Sequence, residues 1–255
     1  MPSSTTDPGR VSGNELAPRC GIAPARSIRF LGAMRFLFLL GAFASAACAA
    51  VPADLAAALA TFRTDSPRGW SFTQTTEGEG HSRIERFDAA RPEFDRWTLL
   101  RQDGTVPTAD KQLDYKQKLV RRSSNSTAPL ITEQLDLRAP ETLADTAERA
   151  TYRCRLKPGE AGDKTAAFLR VTLVVHKPTH TVESLEISND GEFQPTWGVT
   201  IAEMKTAMTY SLPDGATPSL PQKVTTHLRG RAFYFKSLDA DMTVAYTDYV
   251  KAGKK

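Results

Sequence analysis

Leu169-Arg-Val171-Thr-Leu173-Val-Val175-His176-Lys-Pro178-Thr-His180-Thr-Val182-Glu-Ser-Leu185-Glu-Ile187 reads as two strands around one turn. Apolar residues alternate with polar ones on the first arm, the period of a strand that buries one face. The second arm places Val182, Leu185 and Ile187 after a Lys-Pro-Thr turn, which makes the stretch a candidate hairpin.

The same period continues outward. Upstream, Arg149-Ala-Thr-Tyr152-Arg-Cys154-Arg-Leu156 alternates cleanly, with Tyr152, Cys154 and Leu156 on one side and Thr151, Arg153 and Arg155 toward water. Further back lie Trp70-Ser-Phe72-Thr-Gln-Thr, Ser82-Arg-Ile84-Glu-Arg-Phe87 and Arg96-Trp97-Thr-Leu99-Leu100-Arg101, the last closed by the turn pair Asp103-Gly104. Downstream, Val199–Leu212 predicts a long strand with a bulge, because the apolar parity slips between Ile201 and Met204. Lys223–Lys236 and Asp241–Tyr249 supply the last two strands. Nine or ten strands with little helix between them favour antiparallel pairing over βαβ crossovers.

Two helices interrupt the pattern. Leu55, Leu59 and Phe62 fall at helical spacing among alanines. A second helix opens at Pro107-Thr108, with Thr108 as N-cap and Asp110 near the positive end of the dipole, and runs to about Arg122. Its modest apolar face predicts a position on the surface of the sheet.

The N-terminus reads as targeting. From Met34, a positive residue precedes the apolar run Phe36–Ala44 and a small-residue stretch, the order of a secretory signal. The run is too short to span a bilayer. Residues 1–49 are therefore assigned to the signal and an upstream extension, with Met34 as the true start. Simple cleavage after Ala47-Cys48-Ala49 leaves Ala50 first; the alternative is a lipobox, Ser45-Ala-Ala-Cys48, with Cys48 lipidated and the protein anchored to a membrane. The first reading exports a free periplasmic protein of a Gram-negative envelope, as the resemblance given below also implies; the second tethers it to a membrane instead. Residues 50–250 form a single domain, and 251–255 a short basic tail.

Charge follows the same division. The chain carries 33 basic and 29 acidic residues. Five arginines and two acids lie in residues 1–49, so the remainder is balanced at net +1 and lacks the footprint of a nucleic-acid binder.

Catalytic signatures are missing from the sequence. It contains no G-x-S-x-G elbow, no H-E-x-x-H helix and no phosphate-cradling glycine loop. His81 and His227 stand alone in strands. His176 and His180 flank a turn, but zinc needs at least three protein ligands. The chain is read as non-catalytic, with no cofactor and no metal. Aromatic and apolar strand residues are its informative feature. Trp70, Phe72, Trp97, Leu99, Tyr152, Phe233 and Tyr246 either fill a core or line a cavity for an acyl chain. Such a ligand is held mainly by buried apolar area, which leaves no sharp motif.

With these pieces placed, the chain resembles the LolA/LolB-like superfamily of envelope proteins. The features that carry the resemblance are the signal, the short helix after it and a meander of strands with one helical insertion. Glu93-Phe-Asp-Arg-Trp97-Thr-Leu-Leu-Arg-Gln-Asp-Gly104-Thr-Val-Pro107-Thr also resembles a group of uncharacterised proteobacterial secreted proteins, as does Leu228–Tyr249. The resemblance implies a mainly β (α+β) fold: one strongly curved antiparallel sheet, an unclosed half-barrel with two or three helices on its concave side. It implies a lipid, an acyl chain or an envelope lipoprotein as partner, and it transfers no site residue. The alternative is an envelope interaction module with a filled core.

Overall fold

A computed structural model describes residues 50–63, 68–123, 131–159, 165–233 and 235–253. The start at Met34, the cleavage site and Cys48 lie outside the described residues.

Twelve strands pair into one antiparallel sheet. They are β1 (Trp70–Gly78), β2 (His81–Phe87), β3 (Trp97–Gln102), β4 (Leu135–Asp145), β5 (Arg149–Leu156), β6 (Leu169–His176), β7 (Thr181–Asn189), β8 (Phe193–Thr196), β9 (Val199–Tyr210), β10 (Pro221–Ala232), β11 (Lys236–Ser237) and β12 (Ala240–Lys251). The helices are α1 (Ala53–Thr61), α2 (Ala109–Ser123), α3 (Ile131–Gln134) and α4 (Thr165–Phe168). The strand order is β3-β2-β1-β12-β10-β9-β7-β6-β5-β4, with β8 beside β9 and β11 beside β10. The sheet is unclosed, with β3 and β4 as its two edges. These two edge strands are consecutive in the chain. Third and fourth along this order, β1 pairs with β12, so the first and last of the twelve strands are neighbours.

One row of cross-strand partners runs through all ten strands of that path. It reads Thr142, Tyr152, Leu173, Leu185, Met208, Val224, Val244, Thr76, Arg83, Gln102. Directly opposed residues share a face, so this row defines the concave surface. The adjacent row reads Arg153, Thr172, Glu186, Ala207, Thr225, Thr243, Glu77, Ser82 and is polar at every position but Ala207. Alternation thus separates the face that packs against the helices from a more polar one.

Helix α1 covers the β5–β7 part of the concave surface. Leu55, Ala58 and Phe62 pack with Tyr152, Cys154, Val171, Leu173, Val175 and Leu185 in a buried core. Asp54 at the helix start lies 3.9 Å from Lys177 and 3.8 Å from His180, at the β6–β7 turn. Helix α2 lies over the opposite flank, against β3. Its N-cap is Thr108, whose Oγ1 accepts from the Lys111 N–H at 3.4 Å.

The expected antiparallel sheet, the two main helices and the β6–β7 hairpin are present. The bulge near Ile201–Met204 is present too, as a register shift that leaves Ala202 unpaired. Three expectations change. Strands number twelve rather than nine or ten. The stretch Lys223–Lys236 is not one strand: Phe233 takes φ +50° and turns the chain between β10 and β11. The tail begins later than 251, because Lys251 pairs with Trp70.

Candidate functional site

The concave surface divides into three zones. Beneath α1 it is fully buried, and Tyr152 belongs here, 4% exposed. Cys154 beside it is held by the same packing, and burial pushes its thiol up to about 11.

Beneath α2 the surface is aromatic. Phe72 sits at the centre, with Phe87 stacked at 5.1 Å and Trp97, Tyr246 and Tyr249 around it at 5.6–5.7 Å. Leu99 is buried in the same zone. Burial raises the pKa of Tyr246 and Tyr249, and of Tyr210 nearby, so the phenols stay neutral.

Between these zones lies a half-buried strip. Ile187, Met208, Val224 and Leu228 are all partly exposed on the concave side, with Met204 and Thr226 among them. The main sheet contacts of α1 are to β6 and β7 and those of α2 to β3, so Met204 and Met208 on β9 and Val224 and Leu228 on β10 stay half-buried, while Val244 on β12 is buried. Methionine suits such a surface, because its unbranched thioether adapts to varied shapes.

One polar group breaks the aromatic flank. Glu85 on β2 is 3% exposed. Its Oε1 accepts from the Tyr115 hydroxyl of α2 at 2.7 Å, and its Oε2 accepts from the Gln74 amide at 3.3 Å. Arg83 Nε lies 2.9 Å from the same Oε2 as an ion pair, but its N–H is not aligned for a hydrogen bond. A buried carboxylate is tolerable only with such partners. Sequence reading missed this group, although Arg83, Glu85 and Phe87 share one parity.

Phe72, Trp97, Leu99 and Tyr246 are therefore brought together, and Tyr152 lies on the same face under α1. Two proposed lining residues fall elsewhere. Trp70 borders a separate pocket of about 390 Å³ with Phe62, Tyr210, Pro213 and Pro221. Phe233 is 49% exposed at the end of the sheet, edge-on to Trp197 at 5.7 Å. Its parity is lost at the β10–β11 turn, so it does not line the trough.

The histidines stay dispersed. His81 faces Asp103 at 3.3 Å; His176 bonds Thr179; His227 lies 2.5 Å from Asp241 on the polar side. The Arg229 guanidinium, and then His227, hold the Asp241 carboxyl below its usual range. Among the described residues no three of His, Cys, Asp and Glu gather as a metal site. No described helix is long and apolar enough to cross a membrane.

No family model, curated protein or solved structure matches the chain.

Proposed function

We propose that this chain is an exported, non-catalytic periplasmic protein that holds a lipid or an acylated partner against the concave side of its sheet, as the LolA/LolB-like resemblance implies. The observation that carries this reading is the half-buried strip of Ile187, Met204, Met208, Val224 and Leu228 between two helix-covered zones. A well-filled core would hide such a strip. Each methylene buried there contributes about 0.8 kcal/mol, so ten bring about 8 kcal/mol before the cost of immobilisation.

A second reading, an envelope interaction module tethered through Cys48, draws on another observation. Trp197 and Phe235 are 85% and 87% exposed at the β8–β9 and β10–β11 turns. Exposed clusters of this kind mark partner sites.

One experiment separates the two. Protein purified from its native envelope is weighed under native and then denaturing conditions. The trough reading expects a lipid-sized adduct that is lost on denaturation. A protein partner without lipid supports the module instead. A mass without adduct, together with no uptake of oleate, overturns the trough reading.

A further inference from the structure

We propose that Arg83 is the headgroup anchor of the trough, so that its ligand is an acyl amphiphile with an anionic head, a carboxylate or a phosphate. This rests on the trough reading above and adds the chemical class of the ligand.

The apolar row ends at a guanidinium. Met208, Val224, Val244, Thr76 and Arg83 are successive cross-strand partners. Four strand steps separate Met208 from Arg83, about 19 Å across the sheet. An extended long-chain tail fits that span, with its head at β2.

The Arg83 guanidinium is ion-paired to Glu85 along one edge, and its side chain is 32% exposed. Its Nε is buried and makes no hydrogen bond, and the misaligned ion pair with Glu85 fixes that edge of the group. The hydrogen bonds of the described residues include none from its two terminal nitrogens. Glu85 itself is already served by two donors, Tyr115 and Gln74. A carboxylate or phosphate taken bidentately by the free edge completes the site in the geometry a guanidinium prefers. A cavity of about 400 Å³ stands ready for the head, lined by Thr76, Arg83, Gln102, Thr226 and Met242.

Acids also border this cavity: Glu79, Asp103 and Asp241. Asp103 accepts from the Ser82 backbone N–H at 3.0 Å and faces His81, and Asp241 is bound by Arg229 at 2.7 Å and by His227. The charges of Asp103 and Asp241 are thus countered, and Glu79 stands exposed at the rim, where solvent screens it. Arg83 is the one of these groups on the concave row.

The full chain is titrated with oleate, oleyl alcohol and oleoyl lysophosphatidate, alongside Arg83→Gln and Arg83→Lys. The expected result is binding of oleate or lysophosphatidate at least tenfold tighter than of oleyl alcohol. The tighter of the two acids names the head as carboxylate or phosphate. Arg83→Gln is expected to abolish the preference and leave the alcohol's affinity unchanged. Arg83→Lys keeps charge without the fork and is expected to retain only part of it; this variant carries the test if Arg83→Gln does not fold. Equal binding of acid and alcohol by the parent chain overturns the anchor and leaves the trough standing. An undiminished preference in a folded Arg83 variant overturns it as well. Binding of none of the three overturns the trough reading itself.

Discussion

Glu85 is a carboxylate taken out of water, and the Tyr115 hydroxyl is the shortest of its three contacts. Tyr115→Phe keeps the ring and removes the donor. The expected loss is about 1–3 kcal/mol, the range for a buried polar group stripped of a partner, read from urea unfolding. An unchanged midpoint would mean that water replaces the phenol. Cys154 makes the opposite case, a polar atom that behaves as an apolar one. Burial favours its neutral form and raises its pKa from 9.0 to about 11. The stability that this preference supplies is complete below pH 9 and drains away as the pH climbs from 9 through about 11. In native protein at pH 8, Cys154 is expected to resist a maleimide that labels it stoichiometrically in urea, read on its own peptide so that Cys20 and Cys48 do not count; labelling of native Cys154 would refute the burial. The sequence made Cys154 legible, since its parity with Tyr152 and Leu156 points inward. Glu85 was illegible for a physical reason. Period two places it inward with Phe87, but desolvation argues against a buried charge until Tyr115, from a distant helix, is seen to meet it.

Among the elements, turns explain both what could be read and what could not. Asp103 and Gly104 both adopt positive φ, 49° and 74°, and Gln102 and Thr105 exchange two backbone hydrogen bonds of 2.9 Å across them. That is the two-residue hairpin whose twist matches the strands, and an Asp-Gly pair announces it. Gly104→Ala meets no steric obstacle beyond the backbone itself. It is expected to cost about 1 kcal/mol or more through the positive φ alone, measured as a lower denaturation midpoint at unchanged slope. The Glu79-Gly80 turn has the same handedness, at 53° and 79°, yet its glutamate gives no turn signal. Strand β4 was illegible because two register shifts interrupt it, between Asp136 and Glu141 and between Thr142 and Ala144. Alternation survives neither, and Pro140 is tolerable there only because β4 is an edge strand. Helices α3 and α4 are single turns, too short for a helical period to register.

For the whole molecule, the sequence supplied an antiparallel sheet with one buried face, because alternation is a local signal. It did not supply the strand order. Nothing in Trp70–Gly78 names Ala240–Lys251 as its neighbour, since that pairing depends on how the hairpins dock. The order implies a gradient of stability. β12, β10 and β9 are flanked on both sides, while β3 and β4 each leave one edge unpaired. Amide hydrogen exchange is expected to be slowest in β9, β10 and β12 and at least tenfold faster in β4, since local opening needs fewer contacts broken at an edge. Uniform protection across the sheet would contradict this order.

The β1–β12 seam also sets a clock. During synthesis the hairpins of β1–β3 leave the ribosome first and must wait for the final strand to emerge before either half of the sheet has a neighbour. Pairings of such long sequence separation are the slow ones in folding. Until β12 is free, the sheet is held unfinished by its own strand order, with β1 as an open edge.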